Sequence, residues 1–174
     1  MPLTLDQLNR SSCADFVAAL GHLFEHSPWV AEETWPRRPF RDAAQLHAEL
    51  CLSMRSATRE KQLALINAHP DLAGRLAQQS KLTAESTREQ STAGLDQLTD
   101  AELAEFTRLN DSYKAKFGFP FVICARLNAK SAILTAMQAR LDNSPAVEFS
   151  TALDEIEKIA LLRLQDILAT TNSP

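Results

Sequence analysis

His69 stands directly before Pro70 in NAHPDLAG, and the downstream run LTAESTREQSTAGL carries Ser86, Glu89 and Gln90. An imidazole titrates near neutrality, so His69 could serve as a general acid. It could equally be a histidine that simply terminates a helix. Its position gives opposing biases. The end of a preceding helix favours the imidazolium, and the start of a following one favours the neutral ring. Ser86, Glu89 and Gln90 are spaced i, i+3, i+4, so on a helix they share one face. A hydroxyl, a carboxylate and an amide so grouped could read a small heterocycle rich in N–H and C=O groups, or could form a solvated polar face. Glu85 and Glu89 are like charges at i, i+4, which slightly disfavours the isolated helix.

A third candidate is Arg163. The stripe Phe149, Leu153, Ile156, Ala160, Ile167 steps by four and three, and its missing member is position 163. A guanidinium on a core-facing stripe keeps its charge and must meet a carboxylate, carbonyls or an anionic ligand, unless it snorkels to solvent. The fourth feature is FGFPFVICA, Phe117 to Ala125, where Gly118, Pro120 and the β-branched pair Val122-Ile123 exclude an ordinary helix. It reads as a buried extended segment. Buried amides need partners, either neighbouring helices or a ligand.

These groups need helices to position them. Pro70 keeps its predecessor out of helical geometry, so a helix through Leu63 to Ile66 ends at His69. Pro70 suits the first position of a short new helix, Asp71 to Gln79. Thr83 caps the helix of Ser86, Glu89 and Gln90, and Gly94 closes it in the left-handed conformation. Thr4/Gln7 and Thr99/Glu102 form capping boxes, and Ser12 repeats the device with Asp15. Helices are predicted from Ser12 through Phe16, Leu20 and Phe24, from Asp42 through Leu46, Leu50 and Met54, and from Thr58 to about Ala68. Further helices run from Thr99 to Gly118, from Asn128 or Lys130 to Asp142, and from Ser144-Pro145 to the end. SPWVAEETWPRRPF, interrupted by Pro28, Pro36 and Pro39, is predicted to be an irregular connector packed down by Trp29 and Trp35. The sum is an all-α, single-domain bundle of about eight to ten helices spanning 1–174, with one extended apolar connector at 117–125.

The composition limits the alternatives. An apolar fraction of 45% in 174 residues is that of a folded domain. Only 4 Gly and 6% aromatics argue against a strand-rich barrel. A net charge of −4 lacks the basic face of a nucleic-acid binder. His22 and His26 sit at i, i+4, but no third ligand lies nearby and no H-E-x-x-H occurs, so no metal site is expected. No phosphate loop, dinucleotide glycine motif or nucleophile elbow is present. Three separated cysteines suit a reduced compartment. MPLTLDQLNRSS has no apolar signal core and no stretch reaches transmembrane length. The expectation is a cytoplasmic protein that does not engage membrane.

Together, HPDLAG, LTAESTREQSTAGL, LNDSYKAKFGFPFVICAR and the LRL around Arg163 closely resemble the 2-oxo-4-hydroxy-4-carboxy-5-ureidoimidazoline (OHCU) decarboxylase family. The resemblance runs from about Phe16 to Leu168. It implies an all-helical enzyme that needs no cofactor, is commonly a homodimer, and releases CO2 from OHCU to form (S)-allantoin at the end of urate degradation. By motif, the family's catalytic histidine falls on His69 and its catalytic glutamate on Glu89. Substrate-contact positions fall on Pro70, on Ser86, Thr87, Arg88, Glu89 and Gln90, and on Phe121, Val122, Ile123, Cys124 and Ala125 through backbone amides. The family's substrate-binding arginine falls on Arg163. ATTNSP departs from the peroxisomal Ser-Lys-Leu-type ending of many animal and plant members, which suits a bacterial cytoplasm. The rival readings are a catalytically silent helical module that binds purine-like ligands, and a metal-dependent amidohydrolase, which the missing ligands disfavour.

Overall fold

Side-chain caps decide where the helices begin. Thr4 and Thr99 both close full capping boxes, with Gln7 and Glu102. Ser12, Asp42 and Thr83 each accept the N–H three residues on. Each supplies one of the orphan donors of a helix start. The computed structural model describes residues 3–74 and 82–169. Among these are nine α-helices and no strand: α1 Leu5–Arg10, α2 Cys13–Leu20, α3 Trp29–Thr34, α4 Ala43–Ser56, α5 Arg59–Ala68, α6 Ala84–Thr92, α7 Asp100–Phe117, α8 Lys130–Arg140 and α9 Pro145–Ala169. The all-α expectation holds. Among the described residues no helix is long and apolar enough to cross a membrane.

The chain gathers into two compact units, 1–68 with 156–174 and 69–155, so α9 gives its first part to the second unit and the rest to the first. In the first unit Phe16, Leu20, Leu46, Leu50, Met54, Leu65 and Ile66 are fully buried. Two expectations change here. The helix predicted through Phe24 stops at Leu20, and Phe24 is buried from the turn that follows. The proline-rich stretch is not an irregular connector: it contains α3 and a 3-10 turn, Trp35–Arg37. The prolines tolerate this because Pro28 precedes the first turn and Pro36 opens the next, where no N–H is needed. Val30, Ala31 and Thr34 are its buried face. The Thr34 hydroxyl donates to the Val30 carbonyl and meets Ser53 Oγ, each at 2.7 Å, tying α3 to α4. Trp29 and Trp35 are only half-buried. Trp35 donates to the Ser11 carbonyl at 3.2 Å and carries the Arg38 guanidinium 4.1 Å above its ring.

In the second unit α7 is the longest wholly included helix, and its Gly118 cap sits at φ 77, a conformation open to glycine without penalty. That cap turns the chain into a buried run, Phe119 to Cys124, with neither helix nor strand. Phe117 itself still belongs to α7, Gly118 caps it, and Ala125 begins a 3-10 turn, Ala125–Leu127, so the predicted connector is shorter by two residues at its start and one at its end. Tyr113 meets the Phe121 ring edge-on, centroids 5.3 Å apart, and Phe119 meets Phe149 in the same way at 6.0 Å. These aromatic contacts fix the run without a sheet.

Candidate active site

His69 follows the last residue of α5 and is buried, 8% exposed. The helix predicted to restart at Pro70 does not do so: residues 71–74 form a turn, with Ala73 at φ 50. The reason lies in the partners of its backbone. The Asn110 amide donates to the Leu72 carbonyl at 2.9 Å, and the Ala73 N–H donates to Gln90 Oε1 at 3.0 Å. Gln90 Nε2 makes a longer contact, 3.5 Å, to the Asp71 carbonyl. Groups bonded to side chains of other helices are not available to a helical ladder. Gly74 is needed because a Cβ there would lie 2.5 Å from Asp71 Cβ. The rest of that predicted helix, 75–79, lies outside the described residues.

Helix α6 presents Ser86 and Gln90 as its buried polar face, with Glu89 half-buried beside them. Thr87 and Arg88 are exposed, and the Thr87 hydroxyl donates to the Thr83 carbonyl at 2.9 Å. The structure therefore groups Ser86, Glu89 and Gln90, as their spacing required, and turns Thr87 and Arg88 to solvent. Gln90 is the link between this helix and the turn after His69. The helix also packs against the Ala125–Leu127 turn. Burial pushes the Cys124 thiol up in pKa, the Glu155 carboxylate adds to that, and Glu89 adds a smaller push in the same direction. Cys124 is thus held as a neutral thiol within the field of Glu89.

Phe121, Val122, Ile123, Cys124 and Ala125 are all buried. Several of their backbone groups are bonded within the protein, the Cys124 carbonyl accepting from the Leu127 N–H at 3.1 Å and the Ala125 carbonyl from the Asn128 N–H at 3.1 Å. The Cys124 N–H donates to Glu155 Oε2 at 2.8 Å, and the Val122 carbonyl accepts from Arg140 Nη1 at 2.9 Å. Within the second unit, Gln90 ties the turn after His69 to α6, and α6 packs against the Ala125–Leu127 turn that follows the apolar run.

Arg163 lies in the first unit, 4% exposed. Both its Nη atoms lie 3.1 Å from Glu25 Oε2, and Nη1 also donates to the His22 carbonyl at 3.2 Å. Glu25 is 3% exposed. Of the partners the sequence demanded for a buried guanidinium, a carboxylate and a carbonyl are present.

Residues 9–165 match the family model for OHCU decarboxylase. The chain belongs to the OHCU decarboxylase family. It is 44% identical over 164 residues to the 2-oxo-4-hydroxy-4-carboxy-5-ureidoimidazoline decarboxylase of Haloferax volcanii, covering 94% of this chain and 95% of that one. It is 43% identical over 166 residues to the protein of the same name from Amia calva, covering 95% of both. A crystal structure of (S)-allantoin synthase superposes with a TM-score of 0.78 at 30% identity, over 96% of this chain and 54% of that one. The fold is also that of an OHCU decarboxylase crystallised in the presence of (S)-allantoin, TM-score 0.69 at 24% identity.

The buried acids that brace Arg163, Arg140 and the Cys124 N–H lie outside all of the OHCU decarboxylase motifs quoted above. Glu25, Glu148 and Glu155 are all buried, yet each looks in sequence like an ordinary surface acid. A signal for two of them exists. Glu148, Ala152, Glu155, Ile159 and Arg163 step by four, three, four and four, which is the period of one helical face. Asn110, also buried, was missed because it carries no motif of its own.

Proposed function

We propose that the chain releases CO2 from OHCU and forms (S)-allantoin, acting as one functional domain over its whole length. It is a carboxy-lyase of urate degradation, as its family is. The observation that carries the assignment of the site is the bonding of Gln90 to the turn after His69. It supports a shared location for an imidazole and the carboxylate of Glu89.

The substrate carries its carboxylate on a ring carbon beside a C=N group. When the carbon–carboxylate bond breaks, its electron pair enters the ring and the C=N nitrogen takes up the charge and a proton. The substrate is its own electron sink, so cofactor-independent catalysis is the reading we favour. Three tasks remain for the protein. The carboxylate must stand out of the ring plane so that the breaking bond overlaps the π system. The arriving charge must be stabilised. A proton must then reach one face of the former C=N carbon as the hydroxyl on the carbon that lost CO2 gives up its proton and becomes a carbonyl, which sets the hand of the product.

In this proposal His69 steers the carboxylate and donates the proton. Glu89 holds the ring hydroxyl and pairs with His69. Ser86 and the apolar run from Phe121 to Ala125 fix the ring and ureido groups, with Pro70 shaping the corner. Gln90 acts from the same face while it holds the turn. Thr87 and Arg88 face solvent and are given no contact with the reacting atoms. Arg163, by the motif it matches, binds polar oxygens of the substrate. A preorganised donor of this kind contributes roughly 3 kcal/mol to lowering the barrier. A homodimer in the cytoplasm completes the proposal.

The test uses purified protein and freshly generated OHCU. His69→Ala and Glu89→Ala should fold and lose turnover, and treatment with a chelator should leave the wild-type rate intact. Ligand binding without CO2 release would instead favour a silent purine-binding module.

A further inference from the structure

Beneath the apolar run lies a buried polar cluster that the proposed chemistry does not use. Glu148, in the first turn of α9, is 0% exposed. Its Oε2 accepts from the Tyr113 hydroxyl, from Arg140 Nε at 3.0 Å and lies 2.9 Å from Arg140 Nη2; its Oε1 accepts from Asn143 at 2.7 Å. The remaining edge of the Arg140 fork, Nη1, donates to the Val122 carbonyl at 2.9 Å. The same guanidinium lies 4.2 Å above the Phe121 ring. Arg140 therefore holds the backbone of one residue and the side chain of the one before it, and Glu148 fixes the direction in which it does so.

Packing alone does not require this. An apolar pair of similar volume satisfies a core at least as well as a buried ion pair. A planar fork braced on one edge and reading a carbonyl with the other fixes direction, which apolar contacts do not. Glu155, on the same helix, takes the Cys124 N–H at 2.8 Å. The run is thus held on either side of Ile123.

We propose that Arg140, braced by Glu148, is a positioning residue: it sets the orientation of the Phe121–Cys124 backbone against which the substrate binds. This rests on the assignment of that run as a substrate contact under the proposed function. It predicts that Arg140→Lys loses positioning although it keeps the charge, because one ammonium cannot span Glu148 and the Val122 carbonyl as the fork does.

The experiment measures kcat and KM for OHCU, and amide hydrogen exchange across 119–124, in wild type, R140K and E148Q, with folding checked by circular dichroism. The expected result is a KM raised about tenfold in folded R140K and E148Q, a smaller change in kcat, and faster exchange across the run. E148Q removes the carboxylate charge that braces Arg140 at nearly unchanged side-chain size, and carries the same comparison where R140K does not fold. If wild type turns over OHCU and the folded variants keep its KM, the inference is overturned and the proposed function stands. A raised KM with unchanged exchange overturns it too, because Arg140 would then act without moving the run. A wild type without turnover overturns the proposed function instead, and the inference with it.

Discussion

The backbone N–H of Ala73 donates to the side-chain oxygen of Gln90 at 3.0 Å. This bond fastens the turn after His69 to the helix of Glu89. Gln90→Leu leaves a buried N–H without its acceptor, which costs about 1–3 kcal/mol. The expected outcome is a lower Tm together with a kcat reduced about tenfold, since a small displacement of a donor is amplified in rate. A lower Tm with unchanged kcat would assign the bond to folding alone.

Glu25 and Arg163 form a buried pair, and removing one member takes from the other its ion-pair partner. Glu25→Ala should destabilise the fold by about 3–5 kcal/mol, whereas the apolar double variant E25L/R163M should recover most of that loss. Denaturant unfolding of the single and double variants measures the coupling. The same pair complicates a test of substrate binding, because Arg163→Met alone takes the guanidinium from a buried carboxylate. E25Q/R163M removes the charge as well. A raised KM in the folded double variant would support substrate binding by Arg163, and an unchanged KM would assign it to the fold.

Tyr113 is the protein's only tyrosine, so its titration can be followed directly in the ultraviolet. Burial pushes its pKa well above the ordinary phenol value, and donation to the Glu148 carboxylate pushes it further. The folded state thus holds the phenol proton more tightly than the unfolded chain. Its contribution to stability is complete below the unfolded value of about 10 and is lost as pH rises through the folded one. Phenolate absorbance should stay flat past pH ~10 in the native protein and appear together with unfolding. Ionisation near pH ~10 in the folded protein would contradict the burial of this hydroxyl.

Much of the fold was legible because caps are local. Thr4, Ser12, Asp42, Thr83 and Thr99 each bond within three residues, so sequence alone carries the signal. The left-handed Gly94 and Gly118 were legible for the same reason. Helix α3 was not, because three prolines obscure a short apolar face formed by Val30, Ala31 and Thr34. The turn after Pro70 was not either. Its shape depends on Asn110 and Gln90, distant in sequence, and local propensity for a helix loses to them. The site divides along the same line. The spacing of Ser86, Glu89 and Gln90 showed which side chains share a face, and Arg163 announced that it needed a partner. That the partner is Glu25, from the turn after α2, is a tertiary fact.

The most direct measurement is circular dichroism of the allantoin formed from freshly generated OHCU, with CO2 release followed alongside. OHCU also decays unaided, so both rate and handedness count. The account predicts that the wild-type protein accelerates release and yields (S)-allantoin alone, and that folded His69→Ala does neither. Release at the uncatalysed rate with racemic product, or a His69→Ala variant that retains rate and handedness, would contradict it.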